Sequence, residues 1–244
     1  MRMARIFVSA AVVGILLAGC GGQNGSGTSS PGPSESVAAA SNGVADLTAE
    51  EILTKATAAL ETARSYQFKG EMGGDDGLMS IDLKVDGEDV AASLVQAGST
   101  IHVLVVDGQP YFKANAKFWK EMAGEEGAGM AKLVGGRWVK VDPDDKAFAD
   151  LFLLADPREM LAVEGGVVKG ESKTIDAGPA IALVSKEDDS TLYVATTGEP
   201  RPLLIVGPGN EGEVVISRFG DSFPEIKVPA ESEVLDFTEF SSNP

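Results

Sequence analysis

The hydrophobic pattern changes period several times along the chain, and each change marks an element. Ile6 to Ala18 is an almost unbroken apolar run of 13 residues behind a short basic segment with Arg2 and Arg5. From residue 21 to about 45 the chain is Gly, Ser, Ala, Asn and Pro with few large apolar residues, a composition that cannot bury enough surface to fold. Ile52, Leu53, Ala56, Leu60 and Ala63 then recur at helical spacing. Thr48 with Glu51 three residues later forms a capping-box pattern, so a helix is predicted from Thr48 to about Arg64. The period next becomes two. Tyr66, Phe68 and Met72, then Met79, Ile81, Leu83 and Val85, alternate with polar neighbours. Val90, Ala92 and Leu94, the run Thr100 to Val106, and Pro110 to Lys113 follow, with Asp-Gly and Ala-Gly turns between them. Five strands joined by tight turns predict an antiparallel meander.

In the middle, Asn115 to Met122 reads as helix, Gly124 to Gly129 as a glycine-rich loop, and Gly136 to Val141 as a short strand. A second helix is predicted from Pro143 or Asp144 to Ala155, because Phe148, Leu151, Phe152 and Ala155 are spaced i, i+3, i+4, i+7. Leu153 and Leu154 make it apolar nearly all round, as in a helix that is buried or covers something apolar. Strands resume at Glu171 to Asp176, Ala180 to Lys186, Thr191 to Thr196, Pro202 to Val206 and Glu213 to Phe219, ahead of an extended tail. Sheet, helices and sheet again imply an α+β class. About ten strands are too many for a flat open sheet, so an antiparallel sheet curled into a partial barrel is expected.

Leu17-Ala18-Gly19-Cys20 closes the first apolar run and holds the one cysteine. The run has the length of a signal-peptide h-region and is short of the roughly 20 residues a spanning helix needs. The tetrapeptide resembles the bacterial lipobox. That resemblance implies a signal peptide over residues 1–19, a diacylglycerol on the Cys20 thiol, cleavage before Cys20 and acylation of the new amine. The protein would then sit on the extracytoplasmic face of a cell membrane, held by covalent acyl groups and no other cofactor. A flexible tether over residues 20–45 would reach roughly 25–30 Å, and residues 46–244 would form a single domain. Cleavage would move the formal charge from −17 to −19, which argues against nucleic acid and against a polybasic membrane patch. With Cys20 acylated, no thiol remains for disulfides, catalysis or metal binding.

The remaining candidates for chemistry read as structure. Gly207 to Gly212 matches G-x-G-x-x-G but continues into a strand, where a pyrophosphate site needs a helix N-terminus; it is read as a hairpin loop. Asp142, Asp144 and Asp145 lack the spacing of a calcium loop, and Asp144 is read as a helix cap with Asp145 in the first turn. His102, the one histidine, has no accompanying nucleophile motif. Neither a catalytic residue nor a metal site is assigned.

Several segments together resemble a known family. They are Tyr66-Gln67-Phe68-Lys69-Gly70 after the first helix, Tyr111-Phe112-Lys113 before Phe118-Trp119, and Gly136 to Val141. Thr191 to Ile205, containing Gly198-Glu199-Pro200-Arg201-Pro202-Leu203, and Ser217-Arg218-Phe219-Gly220 complete the set. With the lipobox and tether, the order is similar to the actinobacterial LppX/LprG lipoproteins and, more distantly, to LolA/RseB-type half-barrels. The resemblance implies an α+β half-barrel, a curved antiparallel sheet with a few helices packed on its concave face, and a non-enzymatic carrier of an acylated lipid or glycolipid held in an apolar cavity between sheet and helices. On the alternating faces, the candidate lining is Phe68, Leu83, Val85, Ile101, Val103 and Val105 from the sheet, with Phe148, Leu151 and Phe152 from the helix. The alternative is an anchored protein-interaction or sensory module of the same fold with a filled core.

Overall fold

The computed structural model describes residues 40–73, 77–146, 148–153, 155–163 and 165–238, which fall in one compact unit, Ala39–Pro244. Cys20 and the lipobox lie outside these residues. The first long element is the capped helix. Glu51 N donates to Thr48 Oγ1 at 3.3 Å and Thr48 N donates to Glu51 Oε2 at 2.9 Å, closing the capping box. This starts α1, Ala49–Ala63. Its Ile52, Ala56 and Leu60 are buried on one side, as the 3.6-residue period requires. Before it, Ser41 bridges Thr197, and Asn42 N donates to Thr196 O. Ser41 to Ala45, assigned to the tether by composition, is thus attached to the domain.

The first meander is β1 (Ser65–Met72), β2 (Met79–Asp86), β3 (Asp89–Gln96), β4 (Ser99–Val106) and β5 (Gln109–Ala114). Two short helices, α2 (Ala116–Ala123) and α3 (Gly127–Val134), lead to β6 (Trp138–Lys140). After α4 (Ala149–Leu153) come β7 (Val167–Ile175), β8 (Gly178–Ser185), β9 (Thr191–Ala195), β10 (Pro202–Val206) and β11 (Glu213–Ser217), and finally β12 (Val234–Asp236). The twelve strands among the described residues form one sheet in the order β12-β6-β5-β4-β3-β2-β1-β11-β10-β9-β8-β7. The expected α+β half-barrel is found, with twelve strands in place of about ten. The two meanders become one sheet because β1 pairs antiparallel with β11, Phe68 opposite Ile216 and Gly70 opposite Val214. Gly70 is required there by proximity: a Cβ at this position would lie 1.9 Å from Glu213 O.

Three expectations are corrected. Residues 124–129 are not all loop, since α3 begins at Gly127. A Cβ on Gly127 would lie 1.9 Å from Trp119 O, so glycine permits the tight α2–α3 packing. The second long helix shrinks to the five residues of α4. Asp142 Oδ1 accepts from Asp144 N at 2.9 Å, and the backbone ahead of α4 closes i to i+3 turns from Asp142 to Asp145 and from Asp145 to Phe148. That side-chain bond competes with helix initiation, so Asp144 does not cap a helix. Finally, the tail adds a strand, β12, which pairs parallel with β6.

The tail reaches β6 by crossing the convex face. Gly220 N donates to Ser65 O on β1, Glu225 pairs with Lys84 of β2 at 2.9 Å, and Ile226 packs on Leu104, Val106 and Tyr111 of β4 and β5. The concave face carries the main core, in which Phe68, Leu83, Val103, Leu183, Val194 and Ile216 meet Ile52, Ala56 and Leu60 of α1. A second cluster at the β5–β6 end gathers Phe112, Trp119, Val134 and Val139. There the Phe112 ring stands 4.9 Å from Phe148 and 5.5 Å from Trp119. Leu151 and Phe152 pack against both clusters. Residues 148–153 and 155–163 therefore cover the concave face.

Candidate binding cleft

The antiparallel register places the turns β2–β3 and β4–β5 at the end of the sheet where β1 begins. The C-terminus of α1 ends there too, at Arg64, whose carbonyl accepts from Gly87 N at 2.7 Å. The cover turns away near Asp156-Pro157. Between these parts lies an open cleft of about 1030 Å³. Its apolar floor is Leu60, Tyr66, Val85, Val90, Val105 and Phe152. Strand alternation brings Val85 and Val105 to the concave side at their strand ends, where Val105 is partly exposed and Val85 is packed into the main core. The rim is polar, from the two turns, the end of α1 and Asp156 with Arg158. This volume is at the upper end of the range of small-molecule sites, roughly 300–1000 Å³.

Burial, with the carboxylates of Asp156 and Glu61 adding to it, pushes the Tyr66 phenol up to about 12. Arg158 holds the Asp156 carboxyl below the usual carboxylate range through hydrogen bonds of 2.8 and 3.1 Å.

A second, smaller cleft of about 390 Å³ opens at the opposite end of the sheet. Met72, Met79, Ile81, Met160, Ile205 and Val214 line it, under the Gly207–Gly212 turn. Methionine fills irregular apolar surfaces adaptably. The spacing of Met79 on its strand showed its face; nothing local in the sequence showed that Met160 and Ile205 would meet it.

The nine candidate lining residues divide by depth. Val85, Val105 and Phe152 line the larger cleft. Phe68, Leu83 and Val103 are at most 1% exposed and lie in the packed core. Ile101, Leu151 and Phe148 are partly buried, Phe148 against the Phe112 cluster and Ile101 and Leu151 against both clusters. Sequence reasoning placed Tyr66 on the first strand's apolar inner row without naming it as lining, and missed Leu60 and Val90 as floor, although both stood on faces already identified as apolar.

The other candidates stand as structure. His102 lies on the convex face between Ser93 and Lys113. Burial first, and the Lys113 charge second, push its imidazole below the ordinary value. Gly207–Gly212 is a hairpin turn closing β10 to β11, with Gly207 N donating to Gly212 O at 3.1 Å. Among the described residues no group of three or more His, Cys, Asp or Glu could hold a metal, and no helix is long and apolar enough to cross a membrane.

No family model matches the chain, and no curated protein does. Among solved structures the chain is similar to an uncharacterized conserved protein from Thermus thermophilus. The two are 12% identical with a TM-score of 0.43, over 77% of this chain and 98% of that one. It is also similar to MucB, 17% identical with a TM-score of 0.36, over 75% of this chain and 63% of that one.

Proposed function

We propose that this is a non-catalytic lipoprotein of the cell envelope, anchored through acyl groups on Cys20, that binds an acylated lipid or glycolipid with its apolar chain along the floor of the larger cleft. The observation that supports this reading is the apolar floor itself, open to solvent at one end of the half-barrel and ringed by polar side chains. Each methylene moved there from water contributes about 0.8 kcal/mol, with no bond made or broken. The resemblance of the sequence to LppX/LprG lipoproteins points the same way. The test is native mass spectrometry of the chain from residue 20 onward carrying Cys20→Ser, after incubation with bacterial lipid extract. A lipid adduct is expected, and Val105→Trp, which fills the floor, is expected to remove it while leaving the melting temperature within a few degrees. Absence of any adduct overturns the reading. Anchoring is tested separately by metabolic labelling with an alkyne fatty acid, which should mark the wild type and not Cys20→Ser.

One observation favours a second reading, an anchored protein-interaction module. The core beneath the cover is filled, with Phe68 and Leu83 at 0% exposure. That reading takes over if no lipid is retained.

A further inference from the structure

The larger cleft has an acidic rim over its apolar floor. Glu61, Asp86, Glu88, Asp89, Asp107 and Asp156 surround it against Arg64 and Arg158, a net charge of −4. Arg158 is engaged by Asp156 in a two-pronged ion pair. Asp89 Oδ1 accepts from Asp107 N at 2.9 Å, which ties the two turns together and keeps both carboxylates at one edge. Beneath the rim, Tyr66 is 8% exposed and lines the cleft. Its hydroxyl has no hydrogen-bond partner among the described residues, and Asp156 and Glu61 are close enough to act on it. That hydroxyl opens on the cleft, where it can accept a hydrogen bond from a bound group.

We propose that the ligand of this cleft carries a cationic head, an amine-bearing amphiphile whose ammonium sits at the carboxylate rim above Tyr66 and whose chain lies on the Val85/Val105 floor. The proposal rests on the acyl-chain reading above and names the charge of the polar end. A phosphate or sulfate head would face a net negative rim with only Arg64 outside an ion pair. An ammonium gains the field of the rim and supplies donors both to carboxylates and to the Tyr66 oxygen. Charge complementarity of this kind sets selectivity and falls with salt.

The experiment uses the Cys20→Ser chain from residue 20 onward and three probes sharing one dodecyl chain: ammonium, maltoside and sulfate heads, each below its micelle concentration, in calorimetric titrations at low and high salt. The expected result is that the ammonium probe binds at least about tenfold tighter than the sulfate probe, with the maltoside between them. The ratio should shrink in high salt and in the double variant Glu61→Gln/Glu88→Gln, and Val105→Trp should abolish binding of the ammonium probe. Equal binding of all three heads overturns the cationic head while leaving the acyl-chain site intact, as does tightest binding of the sulfate. Ammonium binding that survives Val105→Trp places the probe elsewhere and also overturns it. If no probe binds, the acyl-chain reading fails and the proposal fails with it.

Discussion

The contact at Gly70 joins the two meanders, and replacing it with alanine tests that junction. The added Cβ would lie 1.9 Å from Glu213 O and 2.8 Å from Val214 Cα, both backbone atoms that cannot rotate away. Reaching even a 3.0 Å separation from the oxygen requires β1 and β11 to part locally by at least about 1.1 Å. Ladder hydrogen bonds of ordinary length, about 2.7–3.2 Å, do not survive such a movement. Losing a pair of them forfeits about 0.5–1.5 kcal/mol each, and leaving their groups buried without partners costs more. The sum is about 2–4 kcal/mol for Gly70→Ala. For a domain of this size that lowers the melting temperature by roughly 5–15 °C. The control is Gly129→Ala in α3, where nothing lies within 4 Å of the new Cβ and the backbone is helical. There alanine should stabilise by about 0.5–1 kcal/mol. Thermal and urea denaturation of both variants supply the numbers. A Gly70→Ala protein within about 0.5 kcal/mol of wild type, by the same two methods, would refute the claim that this close approach holds the halves together.

Other outcomes follow from features already described. Phe112→Ala removes a fully buried ring that meets Phe118, Trp119 and Phe148, and should cost about 3–5 kcal/mol in urea denaturation; a loss under about 1 kcal/mol would mean this end of the sheet is not packed. Thr48→Ala removes the acceptor for Glu51 N and should cost about 1 kcal/mol, seen as a small fall in the urea midpoint with an unchanged slope. Tyr66 is raised in the fold from 10.0 to about 12, so its contribution to stability is complete below about pH 10 and is lost as the pH climbs towards about 12. Near-ultraviolet titration should show a tyrosinate step at about pH 12 that Tyr66→Phe abolishes; a titration in which Tyr66→Phe removes no such late step would contradict the buried phenol.

How much of this was legible depends on how local the cause is. The first helix was readable because its start is fixed by two residues three apart, Thr48 and Glu51. The strands were readable because Ile81, Leu83 and Val85 alternate with polar neighbours between turn residues. β12 was not: three residues carry no period, and its pairing partner β6 lies about 100 residues earlier. The helix over 144–155 was overcalled because the spacing of Phe148, Leu151 and Phe152 describes which side chains face the core. It does not describe whether Asp142 will take the Asp144 amide first. The candidate site was legible in face and illegible in depth. Alternation put Leu83 and Val85, or Val103 and Val105, on one row. Only the packing of residues 148–153 and 155–163 decides that Val103 is core while Val105 is partly exposed on the cleft floor, and that Leu83 and Val85 are both buried.

The β1–β11 pairing has a consequence for the order in which the molecule can be completed. A chain that emerges N-terminus first presents β1 to β5 early, and these can zip together through local turns. The other edge of β1 must then wait until Glu213–Ser217 arrives, nearly 150 residues later, and β6 waits about 100 residues for Val234. During that interval the growing sheet exposes a bare strand edge, the kind of edge that recruits other chains. Joining it last also puts a large loop closure in the path to the native state, which slows folding. The final seam of the sheet is therefore sewn only after nearly all of the polypeptide has emerged.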